Sequence, residues 1–441
     1  MIDNIKRALP HPIYIILSWF IHPISHIKQT RKTSKEKRRI CNSIKLHELA
    51  LRKIKEKDQI TCVFLALFDS VWKYDNVYNE LQNNSRFKLI VLVCPIVNYG
   101  YQNMLERMDK CYLAMKKKGY NVIKAYDPKT KIYIDLRKDL HPDLLFYTNP
   151  YYGLIDHRYY ITGYPDILSI YVPYHFGNSN DYQVFNNLLF HNLVWRNYVE
   201  TEEHKHIYCK YEHLKGKNVK VVGYPGIEPF LKEQNNNIYK NTKKTIIWAP
   251  HHTIKPVGRV NFSCFIKYSE FMTSIAKKYQ DKLSFVFKPH PLLRNKLNQL
   301  WGKDKTDAYY LQWETMPNTS VNEGEYIDLF LESDAMIHDS GSFLTEYLYT
   351  HKPVMRTMND VDPKTMYNDF ALDVLDVYYK AYNEQDIEQF IQNVIDGVDP
   401  MKEAREKFYQ ERLLPPNGKL PSENIVNDII DSIKNERVLA E

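Results

Sequence analysis

The sequence predicts an α/β protein of two doubly wound halves facing a central cleft. Three observations predict it. Continuous apolar runs of strand length, such as TCVFLAL at Thr61–Leu67, recur along the chain, as expected when both faces of a sheet are covered. They alternate with helix-spaced segments, which implies parallel strands. The alternation halts at a polar stretch, Lys232–Lys244 (KEQNNNIYKNTKK), and then restarts. At ~100–200 residues per domain, 441 residues leave room for two domains. With 44% hydrophobic and 26% charged residues, a wholly disordered or fibrous chain is excluded.

The elements follow in order. Thr61–Leu67 and Phe87–Val93 (FKLIVLV) are strands, with helical spacing over Val71–Leu81 between them. A second helix covers Tyr101–Lys118 and stops at Gly119, a residue that ends helices readily. Asn121–Tyr126, Asp143–Tyr147, Ile167–Val172 and Asn218–Val222 read as further strands, the last closed by the turn Gly223–Gly226. In the second half, Thr245–Ala249, Leu283–Lys288, Ala335–His338 and Val354–Arg356 are strands. Phe265–Tyr279, Tyr326–Glu332 and Ser342–Thr350 are the helices among them. Glu388–Ile395 and Ser422–Lys434 are helical and placed to cross back over the first half. The expected divisions are an amphipathic basic segment 1–55, a Rossmann-like domain 56–225, a second Rossmann-like domain 226–395 and a helical tail 396–441.

Only 14 of the 441 residues are glycine, under half the usual ~7%, and no two form G-x-G. That excludes the Gly-rich dinucleotide fingerprint and the Walker A loop, which close backbone N–H groups on phosphate. If the protein handles a nucleotide, it must hold the phosphates another way. The net charge of +7 is mild and no nucleic-acid reading motif accompanies it, so no nucleic-acid partner is expected. The six cysteines are scattered without a C-x-x-C pair, which fits reduced thiols and neither a disulfide framework nor a zinc site. At the N-terminus the apolar run Ile13–Ile21 lies between Pro12 and Pro23, too short for the ~20 residues a membrane span needs. Lys28, Arg31, Lys32, Lys35, Lys37, Arg38 and Arg39 follow, opposed only by Glu36. Such a pairing reads as attachment to a membrane surface, or as a buried first helix with a solvated basic face.

In open α/β sheets ligands bind beyond the carboxyl ends of strands. Five clusters fall there: Tyr174–Asn178, Gly223–Gly226, Pro250–Thr253, Lys288–Pro291 and His338–Ser342. The last is a strand, a Ser/Gly turn and a helix start. It offers N–H groups and two hydroxyls to an anion, or it is an ordinary Ser-capped helix with Asp339 supporting the turn. Glu346 sits one turn further, within reach of a ribose hydroxyl. His290 is presented between Pro289 and Pro291, which fix φ on either side; it either donates to a phosphate oxygen or is structural. His175, at a strand end of the other half, is the candidate general base, against the commoner structural role of a lone histidine. His204, His206 and His213 share a charged segment that reads as a solvated face more than as a metal site.

In order, the motifs Y-H-F-G (174–177), G-Y-P (223–225), W-A-P-H-H-T (248–253), K-P-H-P-L (288–292), S-D-A-M-I-H-D-S-G-S-F-x-x-E-Y (333–347) and K-P-V (352–354) resemble the CDP-glycerol glycerophosphotransferases of teichoic-acid and capsule assembly. The similarity runs from about Asp143 to Val354. It implies a GT-B fold with 56–225 as the acceptor domain and 226–395 as the nucleotide-donor domain, inverting transfer of a polyol phosphate, most simply glycerol phosphate, and release of CMP. It implies neither metal nor cofactor, the CDP-activated donor being a substrate. The acceptor would be lipid-linked or polymeric, and the enzyme peripheral on the cytoplasmic face of the cell membrane. Carried over by position, His175 and His290 are the catalytic pair, the first as base and the second on the donor pyrophosphate. His251, Thr253, Lys288, Ser340, Gly341, Ser342 and Glu346 hold the donor. Two motifs depart from the family: Tyr174–Gly177 stands where Trp-His-Gly-Thr is usual, and Asp339–Ser342 where Asp-Tyr-Ser-Ser is usual. The D-S-G form is shared with nucleotide-sugar GT-B enzymes and UDP-sugar 2-epimerases, which gives the alternative of a glycosyltransferase or epimerase. A scaffold derived from such an enzyme is the non-catalytic alternative.

Overall fold

The computed structural model describes residues 34–98, 100–233, 243–256 and 260–440. The apolar run Ile13–Ile21 and the first part of the basic cluster lie outside them. From residue 34 to 55 the chain is helical. Its basic face is exposed, while Ala50, Leu51 and Ile54 join the core of the first sheet.

That sheet has seven parallel strands: β1 Ile60–Ala66, β2 Phe87–Val93, β3 Val122–Lys124, β4 Leu144–Tyr147, β5 Leu168–Tyr171, β6 Arg196–Val199 and β7 Val219–Val221. Their order is β3-β2-β1-β4-β5-β6-β7. The second sheet has six: β8 Lys244–Ala249, β9 Leu283–Phe287, β10 Thr319–Val321, β11 Ala335–His338, β12 Val354–Thr357 and β13 Tyr379–Ala381, in the order β10-β9-β8-β11-β12-β13. Both orders reverse beside their first strand, between β1 and β4 and between β8 and β11. Each reversal opens a crevice at the strands' carboxyl ends. The central strands are buried on both faces, which is why they read as unbroken apolar runs.

Three differences from the sequence reading stand out. The helix expected from Val71 begins only at Asp75, because Tyr74 turns inward, donating to the Tyr147 carbonyl at 2.8 Å and accepting the Val172 N–H at 3.0 Å. Asn121–Tyr126 divides: Val122–Lys124 pairs in the sheet, while Tyr126–Asp127 forms a small antiparallel hairpin with Ile132–Tyr133. Strand β6 and helix Lys303–Thr315 carry weak apolar patterns and were not legible, and helix Leu293–Trp301, although amphipathic, was not read either.

The tail is divided too. Helix Glu384–Asp396 stays with the second sheet, burying Ile387, Phe390 and Ile391 there, so the expectation that this segment crosses back is corrected. Helix Pro421–Lys434 does cross, placing Ile425, Ile429 and Ile433 in the first core. Pro421 at its first position and a Glu423 carboxylate accepting the Leu420 N–H at 2.7 Å start it. The buried Arg196 fastens it through Asp428 at 3.0 Å and Ser432 at 2.9 Å. Gly223 of the G-Y-P turn has φ +89°, and a Cβ there would lie 2.9 Å from the Pro421 ring. That glycine is required by backbone conformation and by the crossing tail together.

Candidate functional site

β8 and β11 lie side by side, with Ala249 opposite His338. The loop Pro250–Thr253 and the turn Asp339–Ser342 therefore leave the sheet together, and Lys288–Pro291 emerges from the neighbouring β9. Asp339, only 2% exposed, ties them. Its carboxylate accepts the backbone N–H of His251 at 2.5 Å and of Cys264 at 2.6 Å, joining the loop, the turn and the start of helix Phe265–Lys278. Burial pushes its pKa up to about 6, with those two N–H groups pulling the other way.

Three histidines meet here. His251, His252 and His290 each bring a ring nitrogen to within 4.8 Å of the others, the one such group of three among the described residues. His204, His206 and His213 form no such group there. The hydrogen bonds decide what the cluster can hold. The Leu292 N–H donates to His290 Nδ1 at 3.1 Å. The Thr253 N–H donates to His251 Nδ1 at 3.3 Å. Thr253 Oγ1 accepts the N–H groups of Phe262 at 3.0 Å and Ser263 at 3.3 Å, leaving its own proton for His251 Nδ1 at 3.0 Å. With both Nδ1 atoms accepting, the proton of each neutral ring sits on Nε2. A metal needs the lone pair at that nitrogen; an anion needs the proton. His251 and His290 thus suit an anion. Burial, first of all, lowers the His251 pKa to about 2 and the His290 pKa to about 3, so both are neutral donors at pH 7. Lys288 lies buried behind them, its ammonium donating to the Gly324 carbonyl at 2.6 Å, and burial brings its pKa down to about 8.

The turn itself differs from a capped helix. Ser342 occupies the N-cap position without a side-chain capping bond, and its hydroxyl lies 3.1 Å from that of Ser340. The expected helix Ser342–Thr350 is a four-residue α turn, Phe343–Glu346, followed by a 3-10 turn, Tyr347–Thr350. A macrodipole from so short an element is small, so what the turn offers an anion is its hydroxyls. Arg356 braces it from below, donating to the Ser340 carbonyl at 3.2 Å and lying over the rings of Phe262 and Tyr367. Gly341 is required by close approach: a Cβ there would stand 2.9 Å from the Phe262 ring, which stacks on Tyr367. Gly341→Ala is expected to displace that ring and cost about 1–3 kcal/mol of stability, measured by chemical denaturation. A variant as stable as the parent would show that the ring moves freely.

On the opposite half, His175 follows β5 and is half-buried. Its Nδ1 lies 2.7 Å from the Phe176 carbonyl, so the proton sits on Nδ1 and Nε2 keeps a lone pair. His204, whose Nδ1 meets the Thr201 hydroxyl at 2.9 Å, donates through Nε2 to the Gly177 carbonyl at 3.1 Å. It holds the loop that carries His175. Glu346 is 2% exposed and accepts the Tyr326 hydroxyl at 2.6 Å. Burial raises its pKa, while Lys73, Tyr326 and His175 act against that rise. Lys73, from the crevice of the first sheet, donates to the Tyr326 oxygen at 3.3 Å. His175 and Glu346 therefore share one part of the meeting surface between the halves. Asp339 was read only as support for its turn. Lys73, Phe262, Tyr326 and Arg356 gave no sequence signal, being single residues far apart in the chain.

The curated teichoic acid poly(ribitol-phosphate) polymerase of Bacillus spizizenii is 25% identical over 203 residues, covering 42% of this chain. The match spans 29% of that relative's length. A structure of the wall teichoic acid polymerase TagF superposes with a TM-score of 0.57 at 14% identity, covering 93% of this chain and 99% of that one. The UDP-GlcNAc 2-epimerase from Neisseria meningitidis superposes with a TM-score of 0.52 at 16% identity, covering 85% of this chain and all of its own. Both share the GT-B-type fold of two facing α/β halves. Residues 182–431 match the family described as CDP-glycerol:poly(glycerophosphate) glycerophosphotransferase, which places more than half of the chain in that family and makes it a member.

Proposed function

We propose that the protein transfers a polyol phosphate, glycerol phosphate in the first instance, from a CDP-activated donor to a hydroxyl of a lipid-linked or polymeric acceptor. The observation that carries this reading is the pair of neighbouring neutral imidazoles, His251 and His290, whose Nδ1 atoms both accept, the first on a loop that Asp339 ties to the Ser340–Ser342 turn. Protonated donors and hydroxyls there bind a pyrophosphate and spread the charge that grows on it, as positioned dipoles do without reorganising. His175 Nε2 takes the proton of the acceptor hydroxyl. The acceptor oxygen bonds to the β-phosphorus, the bridging P–O bond breaks, and its electrons leave on the α-phosphate of CMP. The D-S-G turn supports the second reading, a nucleotide-sugar enzyme. A panel of CDP- and UDP-linked compounds separates the two: CMP released from CDP-glycerol supports transfer, and UDP released from a UDP-sugar supports the alternative.

The pKa directions set a pH profile. His251 and His290 bind no proton between pH 6 and 7.5, so donor affinity is expected to be flat there and to weaken above about 8 as Lys288 loses its proton. Calorimetry with CDP checks it; a tenfold loss per unit above pH 6.5 would mean that imidazolium is the binding form. The same shifts affect folding. Below pH 6.5 the unfolded chain protonates these rings before the folded one does, so their contribution to stability is complete above 6.5 and falls as pH drops towards 3.

Attachment to the inner membrane face belongs to the same reading, supported by the apolar and basic N-terminal run. Among the described residues no helix is long and apolar enough to cross a membrane. Because residues 34–55 pack on the first sheet, the deletion that tests attachment removes residues 1–33 only. It is expected to move the protein from membranes to the soluble fraction without loss of fold. Unchanged partitioning would contradict the attachment.

A further inference from the structure

We propose that Asn178 is a positioning residue that sets the loop carrying His175 in register with the Ser340–Ser342 turn of the opposite half. Its side chain is 5% exposed, and both of its ends are used by the other half of the molecule. Nδ2 donates to the Gly341 carbonyl at 3.0 Å, and Oδ1 accepts the Thr345 hydroxyl at 3.1 Å. Its carbonyl accepts the Asn368 N–H at 3.0 Å. A primary amide offers one donor and one acceptor at this spacing. An aspartate sets a carboxylate oxygen against the Gly341 carbonyl; an alanine leaves two polar groups without partners.

Neighbouring contacts make the register definite. Ser179 forms an antiparallel bridge with Tyr367, and Asn180 bonds to the Met366 carbonyl at 3.1 Å and the Lys364 carbonyl at 2.8 Å. Phe176 buries its ring in the core of the second half, with Phe370 and Tyr349. The loop is thus docked on the far domain at every residue from 176 to 180. At Asn178 alone it meets the phosphate turn itself, three residues from His175. A base and a phosphate site carried on different domains must be held in mutual geometry, and a misplacement of ~1 Å costs about 10²-fold in rate. Asn178 is the group placed to hold it.

This inference rests on the transfer reading, and the experiment keeps the two apart. Asn178→Asp, Asn178→Ala and the milder Thr345→Val are made in the full chain. CMP release from CDP-glycerol gives kcat and KM, calorimetry gives affinity for CDP, and hydrogen exchange follows residues 175–181 and 339–346. For both Asn178 variants kcat is expected to fall about 100-fold, with KM and CDP affinity within about twofold. Thr345→Val, which removes one of the two bonds, is expected to lose about fivefold to tenfold in kcat. Exchange is expected to quicken in both segments together, although they belong to different domains, while β1 and β8 are unchanged. Exchange that changes in 175–181 alone overturns the inference, as does an unaltered kcat. A parallel loss of CDP affinity and thermal midpoint overturns it too, since that marks a folding defect. If the parent protein releases no CMP, the transfer reading fails; the exchange pattern still decides whether Asn178 couples loop and turn.

Discussion

His175→Ala is expected to lower transfer by about 10²–10⁴-fold while leaving donor affinity within about twofold. The expectation follows from the tautomer. The Nδ1 proton is spent on the Phe176 carbonyl at 2.7 Å, so the ring is fixed with its lone pair on Nε2. A base that had first to change tautomer would be poorly prepared for its task. The groups proposed for the donor phosphates, His251, His290 and Ser340, all belong to the other half, so the lost imidazole is expected to take no phosphate contact with it. Single-turnover CMP release and calorimetric CDP affinity, measured on the same preparation, test this. Equal loss in both would remove His175 from the role of base.

His290→Ala is expected to weaken CDP binding by about 10–100-fold, the value of one hydrogen bond to a charged group at ~1.5–3 kcal/mol. The ring is held by more than packing. Pro289 and Pro291 fix the backbone on both sides, its own N–H donates to the Pro250 carbonyl at 3.1 Å, and Nδ1 accepts from Leu292. Only Nε2–H is left to serve a ligand. Its centroid lies 4.9 Å from that of His251, so effects of the paired substitution should fall short of the sum. Unchanged CDP affinity would place His290 among structural histidines.

Much of this arrangement was legible in the sequence. Buried parallel strands advertise themselves as apolar runs, and the polar clusters at their ends are where ligands of such sheets must bind. The proline-bracketed His290 and the D-S-G-S turn needed no structure to be noticed. What was hidden depended on contacts distant in the chain. Strand β6 escaped notice because Arg196 sits in it, and that arginine is buried only because the tail returns to meet it through Asp428. Gly341 was expected as one of the donor-holding residues; what a side chain there would meet first is Phe262, from a distant part of the chain. Glu346 was read as a ribose contact, and its partner Tyr326, twenty residues earlier in the chain, gave no sign of itself. Asn178 was visible as a residue of its cluster, but its partners Gly341 and Thr345 lie in the other half.

The central claim is that this cleft moves a polyol phosphate from a CDP-activated donor to an acceptor hydroxyl. The most direct measurement follows purified full-length protein with CDP-glycerol and a polyol-phosphate acceptor by phosphorus NMR. The account predicts that the pyrophosphate signals decay as CMP and a new phosphodiester appear in equal amounts, and that His175→Ala suppresses both. A pyrophosphate that persists with CDP-glycerol while UDP is released from a UDP-sugar would contradict it.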